Sequence, residues 1–326
     1  IMDGYGIAGG AEPPAIGSRW QLVGRSGAGA PFTQRAILLL RRHWGPPLPP
    51  RKPTSLPRVS SALLGVNGRF GNQLLQYAVT KMYAERHGLA AEFPDWIGRD
   101  LFDHDDPSVG TALPVAEEGI ADIMGAFAGR TGQSLAGHDL RGYFCGESSD
   151  FAPHRAAFTA LFQPGARLTA HVRAWDAKLS AAGTLVAIHV RRGDFGSGPH
   201  WIAPEEWYLA WLDAMWPGWP APRLYVATDD AAVLAAFRRF DPLSSADLGD
   251  ALPGAEFYAD FHALRRANVL AISNSTFSFV AAMLNPTAVE GRKGAFLRPD
   301  PARRALVPFD PWDAPILLRA APPVTT

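Results

Sequence analysis

From residue 185 onward the chain alternates short apolar runs with helical stretches, and this alternation restricts the fold more than any other feature. LVAIHV (185–190) and RLYVAT (223–228) read as buried strands, with AAVLAAFRRF (231–240) as the helix after the second. AEFYAD (255–260), DFHALRRAN (260–268), NVLAIS (268–273) and the helix-like TFSFVAAML (276–284) continue the series. Strands separated by helices of about ten residues predict βαβ units around a parallel sheet, and hence an α/β fold. In such sheets ligands sit beyond the carboxyl ends of the strands. The polar clusters HVRRGD, ATDD and SNSTFS each lie where a strand ends.

A second strand, turn and helix precede this half. SALLGV (61–66) reads as an apolar strand and NGRFGNQ as a glycine-rich turn. In LLQYAVTKMYAERHG, Leu74, Leu75, Tyr77, Ala78 and Met82 fall at helical spacing, with Gly88 as the stop. Residues 95–140 are polar and carry little pattern, and 154–163 is amphipathic. Residues 1–60 are rich in Gly, Ala, Pro and Arg, with Pro46, Pro47, Pro49, Pro50, Pro53 and Pro57 crowded together. Such a stretch reads as an extension or linker that holds neither helix nor ladder. At 326 residues the chain admits two domains or one large α/β unit.

Charge excludes some partners. With 31 basic and 31 acidic residues, net charge gives no argument for nucleic acid or an anionic membrane, so any phosphate chemistry must rest on local sites. The single cysteine, Cys145, offers no disulfide framework and reads as a small packed residue in a reducing compartment. No apolar run reaches the roughly 18 residues that cross a bilayer, and AILLL (36–40) is too short. The expectation is a soluble, cytoplasmic protein, at most peripherally bound at the inner face of the membrane.

The strand-end clusters carry the chemistry. Arg191 and Arg192 close LVAIHV, and an arginine fork pairs bidentately with phosphate oxygens, with His189 adding a hydrogen bond. The bland alternative is a solvated pair balanced by Asp194, and Arg192-Gly193-Asp194 also spells an adhesion tripeptide. SNSTFS (273–278) places hydroxyls and backbone N–H groups at a helix start, which suits an anion or simple capping by Ser273, Ser275 or Thr276. Asp229, Asp230 and Asp260 read either as ligands for ribose or base, or as helix caps. Gly65, Gly68 and Gly71 miss the dinucleotide fingerprint, yet Arg69, Asn72 and Gln73 crowd more polar groups onto that turn than a turn requires. Asp103 and Asp105 have a metal-holding spacing but follow no buried strand, and no metal is expected.

Taken together, five segments resemble the ordered motif series of the α-1,2-fucosyltransferase family. GRFGNQLLQYA (68–78), RGYFCGESSDF (141–151), HVRRGDF (189–195), ATDD (227–230) and DFHALRRANVLAISNSTFSFVAAMLN (260–285) match its patterns in order, over roughly residues 62–290. The resemblance implies a GT-B architecture of two Rossmann-like domains facing a cleft, here 61–180 on the acceptor side and 181–310 on the donor side, with 311–326 as a tail. It implies an inverting, metal-independent transfer of fucose from GDP-β-L-fucose to a glycan hydroxyl, α-1,2 to galactose in a surface polysaccharide. No cofactor is implied beyond the donor. Carried over, Arg191 binds the β-phosphate with Arg192 in support, His189 lies beside the nucleotide, and Asp194 holds the arginine loop. Ser275, Thr276 and Phe277 flank the diphosphate, while Arg69 and Asn72 reach across the cleft. An asparagine is no base at neutral pH, so Asn72 orients a hydroxyl or the donor. Asp194, Glu205 and Glu206 are the candidate bases. SFVAAML replaces the family's tryptophan-rich run, and Cys145-Gly146 stands where Gln-Ser is common; both departures touch packing or acceptor contacts. Another GDP-sugar, another linkage, or a non-catalytic binding module are the competing readings.

Overall fold

The computed structural model describes residues 6–7, 20–26, 37–42, 55–180, 183–196, 200–290 and 296–319. In the first sixty residues, β1 (Gly6–Ile7), β2 (Trp20–Ser26) and β3 (Ile37–Arg42) pair antiparallel in the order β1-β3-β2. The sequence reading allowed no ladder there. Pairing occurs on proline-free stretches, whereas the proline cluster at 46–53 lies outside the described residues.

Two parallel sheets follow. The first unit runs β4 (Arg58–Ser60), α1 (Phe70–His87), β5 (Ala90–Glu92), α2 (Ile97–Phe102), β6 (Val115–Glu117), α3 (Ile123–Phe127) and β7 (Asp139–Arg141). Helices α4 (Arg155–Leu161) and α5 (Thr169–Leu179) complete it. Its strands are all parallel, in the order β5-β4-β7-β6. The second unit runs β8 (Leu185–Val190), α6 (Glu205–Met215), β9 (Arg223–Thr228), α7 (Leu234–Phe237), α8 (Ser245–Leu248), α9 (Tyr258–Arg266) and β10 (Val269–Ala271). It ends with α10 (Thr276–Met283), α11 (Pro286–Val289), β11 (Phe296–Asp300) and β12 (Ala305–Pro308). The strand order is β12-β11-β10-β8-β9, parallel except for the β11–β12 edge pair.

Each sheet has one place where the order reverses. From β8 the chain steps to β9 on one side and returns to β10 on the other, so a crevice opens beyond the ends of β8 and β10. The first sheet does the same between β4 and β7. Every residue of β8 is buried, which is why LVAIHV is apolar apart from His189.

The first strand starts earlier than SALLGV suggests. It ends at Ser60, and residues 61–66 form turns, with Leu64 N–H donating to Ser61 (3.1 Å) and Val66 N–H to Leu63 (3.1 Å). Buried Asp139 causes the bend: its carboxylate accepts from Ser60 Oγ (2.8 Å) and Ala62 N–H (2.7 Å), pulling the chain over the end of β7. The α1 helix ends at Gly88, which takes φ +64° as the spacing predicts. Between Phe70 and Ala84 it is buried on nearly all sides, not on one face, because it is wedged between the first sheet and α10.

One continuous apolar core runs from Val59 to Ile316 through both units, and a smaller one fills the outer face of the second sheet against α6 and α7. Phe70 is the joint. Its ring lies 4.7 Å from Phe257, 5.1 Å from Phe261, 6.3 Å from Phe102 and 6.4 Å from Phe277. Of the expected tail, residues 311–319 are built into the fold: Trp312 and Ile316 are buried, and Ile316 N–H donates to Gly146 (2.8 Å). Residues 320–326 lie outside the described residues.

Removing the Phe70 ring empties a site that touches both units. Phe70→Ala should therefore lower the unfolding free energy by about 3–5 kcal/mol in urea titrations. Phe70→Leu should cost less than half of that. Equal losses for the two, or none, would contradict this placement.

Candidate active site

Two helix starts meet where the two crevices face each other. The α1 helix begins at Phe70 with Arg69 as its N-cap residue, without a side-chain cap bond, and α10 begins at Thr276 behind Ser275. Neither has an acidic residue in its first turn. The two backbones almost touch at Gly71, where a Cβ would land on the backbone N of Phe277 and 2.5 Å from the carbonyl carbon of Thr276. Orphan N–H groups and the positive ends of two helix dipoles are thus gathered at one place, with no acidic residue in either first turn. Ser275 Oγ satisfies one donor, accepting from Phe277 N–H at 3.4 Å.

The glycine-rich turn before α1 divides its polar residues by task. Gln73 Nε2 donates to Gly68 O (3.0 Å) and Gln76 Nε2 to Asn67 O (2.9 Å), so these side chains lock the turn. Arg69 is exposed and reaches Asp194 of the second unit, Nη2 to Oδ2, at 3.3 Å. Asn72 is half-buried beside Gly68, where a Cβ would stand 2.7 Å from its Nδ2.

The arginine pair leaving β8 splits. Arg191 is held by two carboxylates, Nη2 to Asp194 Oδ1 at 2.7 Å and Nη1 to Asp229 Oδ2 at 2.5 Å, and its guanidinium lies over the Phe195 ring. Arg192 turns the other way. It pairs with Glu205 (Nη2 to Oε1, 2.5 Å) and donates to the carbonyls of Arg191 (2.8 Å) and Ala203 (3.3 Å), bracing the loop against α6. An adhesion tripeptide has to display its arginine beside its aspartate, yet the Arg192 side chain is 14% exposed against 58% for Asp194.

The remaining strand ends complete the site. His189 is buried, with Nδ1 2.8 Å from Ser273 Oγ; burial pushes the imidazole down to about 3, so it is neutral at physiological pH. The Phe277 ring lies 5.4 Å from it. Asp229 is drawn into the arginine cluster and also accepts from Arg192 N–H (2.8 Å). Asp230 caps the following turn, accepting from Ala232 N–H (2.9 Å). Asp260, on α9, accepts from Tyr225 OH at 2.7 Å, and burial pushes its carboxyl up to about 7. Asn274, in the middle of SNSTFS, was not singled out by sequence. Its amide both donates to Leu318 O and accepts from Leu318 N–H, each at 2.8 Å, fastening the loop to the 311–319 stretch.

In the DHDD run Asp103 and Asp106 take structural contacts, and Asp105 is exposed. Asp103 accepts from Ala166 N–H (2.6 Å), and Asp106 accepts from Tyr77 OH (2.6 Å) and Lys81 Nζ (2.7 Å). Cys145 is half-buried against the core, its thiol pushed up to about 11 by burial. Among the described residues, no three His, Cys, Asp or Glu side chains are grouped to hold a metal ion. No described helix is long and apolar enough to cross a membrane.

No protein-family model and no curated protein sequence matches the chain. Solved structures do match. The fold resembles NodZ α-1,6-fucosyltransferase co-crystallised with GDP, at 16% identity and a TM-score of 0.50, over 79% of this chain and 99% of that one. It resembles fucosyltransferase NodZ from Bradyrhizobium at 15% identity and a TM-score of 0.50, over 79% of this chain and all of that one. POFUT1 in its apo form matches at 12% identity and a TM-score of 0.48, over 76% of this chain and 99% of that one. The likeness to NodZ establishes the fold: an α/β chain of GT-B type, with two Rossmann-like sheets set crevice to crevice.

Proposed function

We propose that the chain transfers L-fucose from GDP-β-L-fucose to a glycan hydroxyl, with inversion and without a metal ion. The observation that carries this reading is the charge pattern at the meeting point of the two sheets. Two helix starts without an acidic residue in their first turns converge there with Arg191 and Arg69, whose carboxylate partners Asp194 and Asp229 a nucleoside diphosphate can replace. The fold supports the choice of nucleotide, since NodZ, which shares it, is a fucosyltransferase crystallised with GDP. The motif series in 68–285 supports the finer reading, an α-1,2 linkage to galactose in a surface polysaccharide.

In this reading Arg191 exchanges a carboxylate for the β-phosphate and stabilises the negative charge that grows on it as the anomeric C–O bond breaks. The N–H groups of Thr276 and Phe277 share that charge. Neutral His189 donates or accepts a hydrogen bond beside the nucleotide but adds no charge. Asn72 orients the attacking hydroxyl, whose oxygen bonds to the anomeric carbon on the face opposite the departing diphosphate. Of the three candidate bases, Glu205 is held by Arg192 and Glu206 is exposed on the first turn of α6, whereas Asp194 bridges Arg69 and Arg191 at the site. Only Asp194 of the three lies at the site, and it is the proposed proton acceptor once the diphosphate has taken its place on Arg191.

Incubation with labelled GDP-fucose, GDP-mannose and UDP-galactose over a glycan panel, with linkage analysis of the product, tests the proposal. Transfer from GDP-fucose alone is expected, and transfer only from another donor would overturn it. Arg191→Ala removes charge-assisted hydrogen bonds worth about 1.5–3 kcal/mol each, so calorimetry should show GDP binding weakened at least tenfold, with turnover reduced further. Activity in EDTA should match that in buffer. Loss restored by manganese would instead assign charge neutralisation to a metal.

A further inference from the structure

The reaction needs a second substrate, and the first sheet presents a surface unlike the charged donor side. Of the seven exposed large hydrophobic residues among those described, four stand on the connections that leave the carboxyl ends of its strands. Leu63 (37% exposed) and Val66 (60%) follow β4, Ile120 (89%) follows β6, and Tyr143 (44%) follows β7. Parallel strands put those connections on one edge, the edge that carries Asn72 and Arg69.

Tyr143 is displayed there by construction. The Glu118 carboxylate accepts from the backbone N–H groups of both Tyr143 (2.7 Å) and Phe144 (3.1 Å). Phe144 takes φ +52°, a conformation a bulky residue adopts only when its surroundings impose it, and its ring is fully buried. That reversal sends Phe144 into the core and leaves its neighbour outside. The Tyr143 ring then lies over Gly68: a Cβ there would stand 2.9 Å from Tyr143 Cε1 and 2.7 Å from Asn72 Nδ2, so only glycine leaves room for both side chains. Arg69, the next residue, pairs with Asp194.

We infer that Tyr143 is the specificity-determining platform for the acceptor. A pyranose ring of the acceptor glycan lays its C–H face on the phenol, with Val66, Leu63 and Ile120 as an apolar rim, and its reacting hydroxyl passes Gly68 toward Asn72 and the donor. A half-exposed aromatic ring with a polar tip suits a ligand that is apolar on its faces and polar at its edges. This inference rests on the proposed fucosyl transfer.

The test separates the two substrates. With GDP-fucose as donor and a panel of β-galactosides, β-N-acetylglucosaminides and α-mannosides as acceptors, Tyr143→Ala should raise the acceptor KM at least tenfold. GDP affinity and the acceptor-independent hydrolysis of GDP-fucose should stay within twofold of the parent. Tyr143→Phe keeps the ring and should stay within threefold in acceptor KM, while Ile120→Ser, on the same rim, should give a smaller rise than Tyr143→Ala. An unchanged acceptor KM in Tyr143→Ala, or a parallel loss of GDP affinity, overturns the platform. Failure of the parent protein to bind GDP or to cleave GDP-fucose is the separate result that overturns the proposed function instead.

Discussion

The contact at Gly71 governs the rest of the molecule. Because position 71 carries no side chain, the first turn of α1 reaches the first turn of α10 at backbone distance, and everything nearby follows from that approach. It brings Phe70 into the aromatic cluster of Phe257, Phe261 and Phe277, which makes the two units one core. It also brings two positive helix ends together, an arrangement that repels itself unless something negative sits between them. The apolar joint below holds in place the electrostatic tension above. Packing energy thus holds together two helix starts that electrostatics alone would spread apart.

The carboxylates in the site fit this picture. Asp194 and Asp229 occupy the guanidinium forks of Arg191, and Asp194 also spans to Arg69 across the two units. These side chains keep the arginines oriented and paired. In the proposed reading a diphosphate, with more charge and a bidentate geometry, takes their place on Arg191. The half-free Asp194 side chain is the one placed to move, since Asp229 is also anchored to the Arg192 backbone. Arg192 and Glu205 lie behind the site and set the path of the loop.

Much of this was legible in the sequence, for identifiable reasons. The second sheet was readable because its central strand is buried on both faces and therefore apolar at every position but His189. The strand-end clusters were readable because parallel topology dictates where strand ends go. What escaped was decided by contacts far apart in sequence. The first strand was misplaced because Asp139, 79 positions from Ser60, bends the chain after it. Asp229 and Asp230 look alike in ATDD, yet one joins an arginine 38 positions earlier in the sequence and the other caps its own turn. Asn274 looked like one more polar residue in SNSTFS until Leu318 supplied its partner. Arg191 and Arg192 are adjacent and read alike in sequence, yet Asp194 and Asp229 hold the first and Glu205 holds the second.

Under the proposed function the two halves of the site meet different recognition problems, and their composition differs accordingly. A diphosphate is bound by fixed charge, and the second sheet supplies strand-end arginine, a helix start and short polar side chains on rigid elements. A sugar hydroxyl carries no charge to attract, so affinity for an acceptor must come from shape and from burying its C–H faces, which needs exposed apolar surface. Exposed apolar surface is a liability in water, and four of the seven exposed large hydrophobic residues described stand on one edge of the first sheet, with Phe144 and Glu118 holding the Tyr143 loop in place. In the proposed transfer, charge on one side and apolar edge on the other order the substrates in space: the leaving group is drawn toward α10, and the attacking oxygen enters over Gly68 from the opposite face. Such an approach from the face opposite the leaving group is the geometry that inverts the anomeric carbon.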